Sequence, residues 1–195
     1  MKRHLFLCGP SGCGKTYMLR EILGPSMAQA GGFVTERIRT DDGTLLGYDL
    51  FPAAHAAGVE GFTEKRFLDY TQRPPISDNE VFRADAVRLL AEAEFYPFAL
   101  VDEFGGYELV IPQFREALGR FLSSEVPCIG VLKSLPNAET LKKRMGLGEK
   151  YILLAQDLRA ALDSDENTLV LDTVGRGDEA AYRAVEEWKR EYVDV

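Results

Sequence analysis

The chain has 195 residues, 46% of them apolar, and a formal net charge of −8. That length is ample for one buried core, and the apolar share excludes a disordered chain. The acidic balance argues against general nucleic-acid binding, which needs a basic surface to displace counterions.

The three cysteines, Cys8, Cys13 and Cys128, form no C-x-x-C pair and no metal-ligand spacing. A sparse, odd count fits a reducing, cytoplasmic setting. With only His4 and His55 present, a histidine-built metal centre is not expected. The apolar run Leu5-Phe6-Leu7 is too short to cross a bilayer, so no membrane partner is expected. Lys2 and Arg3 before it look like the start of a signal peptide, but the run breaks at once into Gly9-Pro10-Ser11-Gly12, and a first β-strand fits better.

In chain order, His4 to Cys8 reads as a buried strand and Thr16 to Leu23 as a helix stopped by Gly24-Pro25. Gly32 to Ile38 and Thr44 to Phe51 flank Asp41-Asp42-Gly43, a hairpin signal because glycine tolerates the positive φ of the turn. Pro52 to Pro75 mixes Gly, Pro, Ala and aromatics without a period and reads as a loop with one short helical turn. Ser77-Asp78-Asn79-Glu80 has capping-box spacing and opens a helix to about Glu94. Phe98 to Asp102 is a strand, Pro112 to Leu122 a helix, and Cys128 to Leu132 a strand. Asn137 is the expected cap of a helix ending near Met145 and Gly146. Tyr151 to Leu154 reads as a short strand before a helix from Gln156 to Leu162. Leu169 to Asp172 is a strand, and a last helix from Asp178 carries Ala181, Val185, Trp188 and Tyr192 on one stripe. Strands alternating with helices predict an α/β fold, three-layered, with a mostly parallel sheet and one antiparallel hairpin. No repeat or linker divides it, so residues 1–195 are expected to form a single domain.

Gly9-Pro10-Ser11-Gly12-Cys13-Gly14-Lys15-Thr16 matches G-x-x-x-x-G-K-[ST] in full and lies between a strand and a helix. Its glycines let backbone N–H groups close on phosphate oxygens, Lys15 reaches the β- and γ-phosphates, and Thr16 ligates Mg²⁺. The positive end of the following helix adds to the cradle. Cys13 stands at that helix start, where thiol pKa values fall, and so suits a redox switch; the simpler reading is a small filler at a variable motif position.

Phe98-Ala99-Leu100-Val101-Asp102-Glu103 is an apolar strand ending in two carboxylates, the Walker B pattern. Asp102 is placed to support Mg²⁺, and Glu103 to orient the attacking water or take its proton. A glutamate directly after the aspartate favours water as acceptor, hence hydrolysis. No Asn-Lys-x-Asp guanine-reading sequence is present. A cation for the transition state is expected; Lys133, just after the Cys128 strand, is one candidate, and Arg37, Arg144, Arg159 and Arg176 are others.

Three stretches together resemble the cancer-related nucleoside-triphosphatase family of small P-loop NTPases. They are the loop Gly9 to Thr16, then Gly32-Phe33-Val34-Thr35-Glu36-Arg37 with Gly47-Tyr48-Asp49 after the hairpin, and Val101-Asp102-Glu103-Phe104-Gly105-Gly106-Tyr107-Glu108-Leu109, continued by Phe114-Arg115. The resemblance covers roughly residues 1 to 135. It implies a RecA-like sheet in which the Cys128 strand separates the first strand from the Asp102 strand, and Mg²⁺-dependent hydrolysis of nucleoside triphosphates, ATP and/or GTP. It also makes Glu108 a weaker site candidate. Residues Val59 to Ile76 depart from the family pattern, Gln156-Asp157-Leu158-Arg159 matches it loosely, and the last strand and the Trp188 helix look like an extension. Two other readings share the phosphate loop. One is a small-molecule or nucleotide kinase, for which Lys65, Arg66 and Arg73 could arm a lid. The other is a nucleotide-gated binding module facing a protein partner.

Overall fold

In the computed structural model, which describes residues 1–194, eight strands form one sheet. They are β1 His4–Gly9, β2 Ala30–Arg39, β3 Leu45–Pro52, β4 Lys65–Asp69, β5 Ile76–Ser77, β6 Phe98–Phe104, β7 Cys128–Lys133 and β8 Thr168–Asp172. The helices are α1 Lys15–Leu23, α2 Val87–Glu92, α3 Pro112–Leu122, α4 Leu135–Met145, α5 Glu149–Ser164 and α6 Glu179–Tyr192. The spatial order is β5-β4-β3-β2-β6-β7-β1-β8. From β2 through β8 neighbours run parallel, and β2-β3-β4-β5 is an antiparallel meander. β7 lies between β1 and β6, as the resemblance implied.

The parallel strands are buried on both faces, which is why they read as unbroken apolar runs. Leu5 and Leu7 of β1 pack under α1 and α6, with Met18, Val185 and the fully buried Trp188. Phe6, between them, faces α2 and α3, with Leu90, Phe114 and Phe121. Side-chain alternation along one strand thus supplies both cores. The parallel direction also brings the C-terminal ends of β1, β6 and β7 to one edge, where Gly9 pairs with Lys133 and Leu132 with Phe104. Ligands of open α/β sheets bind at that edge.

Four sequence expectations are corrected. Pro52 to Pro75 is not all loop, since β4 lies inside it. There the buried Asp49 of β3 pairs with Arg66, and Phe67 and Leu68 enter the core. Ser77 opens no capping box, because its backbone pairs with Leu68 in β5; the Asp78 carboxylate accepts the Glu80 N–H instead, and the helix begins as a π-turn over Val81–Ala86. Asn137 is not the cap of α4, which starts after Ser134. Tyr151 to Leu154 is no strand but the first half of α5, whose buried Tyr151, Ile152, Ala155 and Leu162 recur at helical spacing. Among the described residues, no helix is long and apolar enough to cross a membrane.

Candidate active site

The turn from β1 into α1 leaves the motif glycines little choice. A Cβ on Gly9 would stand 2.2 Å from the Thr173 carbonyl oxygen. Gly14, at φ 103°, holds a left-handed turn that side chains resist, directly before the first turn of α1. The Lys15 Nζ donates to the carbonyls of Gly9 at 3.0 Å and Pro10 at 2.7 Å, so the ammonium lies across the mouth of the loop. Cys13 Sγ is 3.6 Å from it. Thr16 Oγ1 donates to Asp102 Oδ1 at 3.1 Å, joining the two motifs across the sheet edge.

Asp102 and Glu103 are consecutive strand residues and would ordinarily face opposite sides of the sheet. A β-bulge changes this. Asp102 pairs with Val131 and Phe104 with Leu132, leaving Glu103 without a partner in the ladder and at φ 64°. A left-handed conformation costs a non-glycine residue about 1–2 kcal/mol, and bulges commonly re-aim side chains beside active sites. The bulge turns Glu103 into the cleft of about 430 Å³ that Lys15 and Thr16 also line.

The two carboxylates are shifted in opposite directions. Burial, and then the charge of Glu103, push Asp102 up to about 7, against the pull of the Thr16 hydroxyl. Burial alone would raise Glu103 too, but Lys133 at 3.0 Å and Arg37 at 3.8 Å outweigh it and hold the carboxyl below its ordinary value. Glu103 in turn keeps Lys133 charged despite its burial.

The weaker candidates separate. Arg37 reaches from β2 to Ser11 Oγ at 3.0 Å and so touches the loop. Lys133 is tied to Glu103. Glu108 is buried, accepts the Gly106 N–H, and is pushed up chiefly by burial; it borders a neighbouring cavity, not the loop cleft. Arg159 is drawn away by Asp163 and Asp172. The Arg176 guanidinium stacks on Tyr17 at 3.7 Å, and its backbone N–H donates to the Cys13 carbonyl at 3.0 Å, bracing the loop from the β8 side. Sequence reasoning missed Asn137, whose amide donates to Gly9 O at 3.1 Å. Asn137 is a cap residue by type, but Ser134 followed by Pro136 is the start signal that the fold uses, three residues earlier.

Comparison with known proteins identifies the family. The family model described as NTPase matches residues 4–176. The chain belongs to this family. It is 29% identical over 188 residues to the cancer-related nucleoside-triphosphatase homolog of Mus musculus, covering 85% of this chain and 95% of that protein. It is 27% identical over 145 residues to the nucleoside-triphosphatase THEP1 of Thermotoga petrophila, covering 73% and 80%. The crystal structure of THEP1 from the hyperthermophile Aquifex aeolicus superposes with a TM-score of 0.50 at 19% identity, over 82% of this chain and 99% of that one, a likeness of fold. Since the family match runs to residue 176, β8 belongs to the shared fold and is not an extension; α6 lies beyond it. Family membership makes the chain an enzyme that hydrolyses nucleoside triphosphates.

Proposed function

We propose that Lys15, Thr16, Asp102 and Glu103 carry this hydrolysis, converting ATP and/or GTP to the diphosphate and phosphate, and that residues 1–195 act as a single domain. The observation supporting the reading is the bulge at Glu103, which brings a second carboxylate into the cleft lined by Thr16, itself hydrogen-bonded to the buried Asp102. Backbone N–H groups of Gly9 to Thr16 hold the phosphates. Lys15 exchanges the carbonyls of Gly9 and Pro10 for phosphate oxygens. Glu103, kept ionised by Lys133, orients water in line with the γ-phosphorus and accepts its proton. Arg37, which reaches Ser11 of the loop, supplies a cation for charge developing on the γ-phosphoryl oxygens.

Mg²⁺ fits the donors present. A hydroxyl and a carboxylate oxygen are hard ligands, and the buried Asp102 carries the Thr16 hydroxyl as its hydrogen-bond partner. No cluster of three His, Cys, Asp or Glu exists among the described residues, so Thr16 and Asp102 would hold an ion together with phosphate and water oxygens. Bound there, Mg²⁺ supplies charge neutralisation at the β- and γ-phosphates. The free cysteines favour a cytoplasmic setting. Phosphate release from ATP, GTP, CTP and UTP, measured with Mg²⁺ and again with EDTA, tests the reading. Release confined to the Mg²⁺ samples is expected; equal release in EDTA would contradict it.

A further inference from the structure

Behind Glu103, on the side away from Lys15, lies a second cavity of about 170 Å³. Tyr48, Phe67, Tyr70, Phe82 and Tyr107 form much of its wall, and polar side chains, Lys133 and Glu108 among them, share it. A cavity of about 150 Å³ accepts benzene, so the space matches a single ring in size, and its polar lining suits substituents on that ring. Tyr107 donates its hydroxyl to the carbonyls of Phe67 and Asp78, and its ring packs on Phe67 and Phe82, which fixes this aromatic wall. Glu103 and Ser11 border both this cavity and the phosphate cleft, so the two spaces meet where the γ-phosphate would lie.

The opening is basic. A cleft continuous with the cavity through Tyr48, Tyr70 and Arg144 also carries Arg37 and Arg39. Among the described residues, Arg144 and Arg39 have no carboxylate partner within 4.0 Å. Arg144 rests on the Tyr70 ring at 5.3 Å, and Arg39 donates to the Gly43 carbonyl. In a chain of net charge −8, two such arginines at one opening are a place for a carboxylate or phosphate, the anions that a guanidinium fork matches.

We propose that this cavity binds a second substrate, a small ring compound bearing a hydroxyl group and an anionic group, and that the γ-phosphoryl passes to its hydroxyl. The ring lies among the aromatic walls, the anion meets Arg144, and the hydroxyl faces Glu103. Its oxygen forms the new bond to the γ-phosphorus. The bond from that phosphorus to the diphosphate breaks, with its electron pair leaving on the diphosphate, and the hydroxyl proton goes to the Glu103 carboxylate. Water takes the same place when the cavity is not filled, which gives the hydrolysis of the family. The proposal rests on the placement of the γ-phosphate between Lys15 and Glu103.

The test incubates the full chain with Mg²⁺ and ATP, adding either para-hydroxymethylbenzoate or benzyl alcohol, and follows the phosphorylated alcohol and free phosphate together by ³¹P NMR. A phosphate ester of the benzoate is expected, with benzyl alcohol the poorer acceptor. Thr140→Trp, on an exposed α4 position lining the cavity, should lower ester formation at least about tenfold while phosphate release without probe stays within about twofold. Arg144→Gln should raise the benzoate KM about tenfold and leave that of benzyl alcohol unchanged; this second variant decides if Thr140→Trp fails to fold. Phosphate release with no ester from either probe would overturn the proposal while sparing the hydrolytic reading, as would ester formation indifferent to both variants. Ester without phosphate release would do the reverse.

Discussion

The parallel and antiparallel halves of the sheet bring different chemistry to the same edge. β1, β6 and β7 deliver backbone N–H groups, Lys15, Thr16, the buried Asp102 and the half-buried Glu103, from strands anchored in cores on both faces. β2, β3 and β4 deliver arginines and aromatic rings: Arg37, Arg39, Tyr48 and Phe67. On the proposed reading the first half holds a triphosphate and its cation, and the second half surrounds the space from which the proposed acceptor reaches the γ-phosphorus. Substitutions of the motif residues on the parallel strands should therefore abolish binding or turnover, and those of the antiparallel half, like those of α4 facing it, should shift rate or acceptor.

Lys15→Ala offers the largest contrast. It should weaken triphosphate binding at least about a hundredfold, because a charge-assisted contact to two phosphates is lost; isothermal titration calorimetry reads it directly. Undiminished affinity would remove the parallel half from its role.

Asp102 sharpens the comparison through pH. Its carboxyl, raised from an ordinary 3.8 to about 7, binds a proton in the folded chain that the unfolded chain has already released. Stability of the nucleotide-free protein should fall as pH rises between those values and level off above them. Asp102→Asn removes that slope. It should melt higher than wild type at about pH 8 without Mg²⁺, since a buried charge without its cation is gone, yet release phosphate at least tenfold more slowly, by roughly the scale of lost electrostatic stabilisation. Thermal melts across pH, with phosphate assays beside them, check both.

Arg37→Gln belongs to the antiparallel half and should act more gently, lowering kcat about threefold to tenfold with triphosphate affinity nearly kept. Steady-state kinetics beside binding isotherms distinguishes this from a loss of binding. The smallest effect is expected from Asn137→Ala, which leaves the phosphate loop standing and removes one hydrogen bond to the Gly9 carbonyl, worth about 1 kcal/mol in urea unfolding.

The same division explains what the sequence disclosed. Strands such as Leu5 to Cys8 and Phe98 to Val101 are buried on both sides and end in glycine or acid, so local composition reveals both the element and the site. β4 escaped because its buried residues, Phe67 and Leu68, are adjacent rather than alternating, and its pairing depends on Asp49 seventeen residues earlier. β5 has only two residues, both exposed. The apolar run Tyr151 to Leu154 suits strand or helix equally by pattern, and α5 takes it because Leu153 faces solvent while Tyr151 and Ile152 pack on Leu109 and Ala138. At the site, residue identities could be read from the motifs, but the reach of Glu103 could not. It comes from a bulge against β7, a strand nearly thirty residues away in sequence.

Glu103→Gln tests the central claim most directly. It keeps the bulge, the side-chain length and the phosphate loop, and removes only the carboxylate. Phosphate release with Mg²⁺ should fall at least about tenfold while triphosphate binding stays unchanged, the signature of a lost general base. Turnover equal to wild type would show that the re-aimed glutamate does not handle the attacking water.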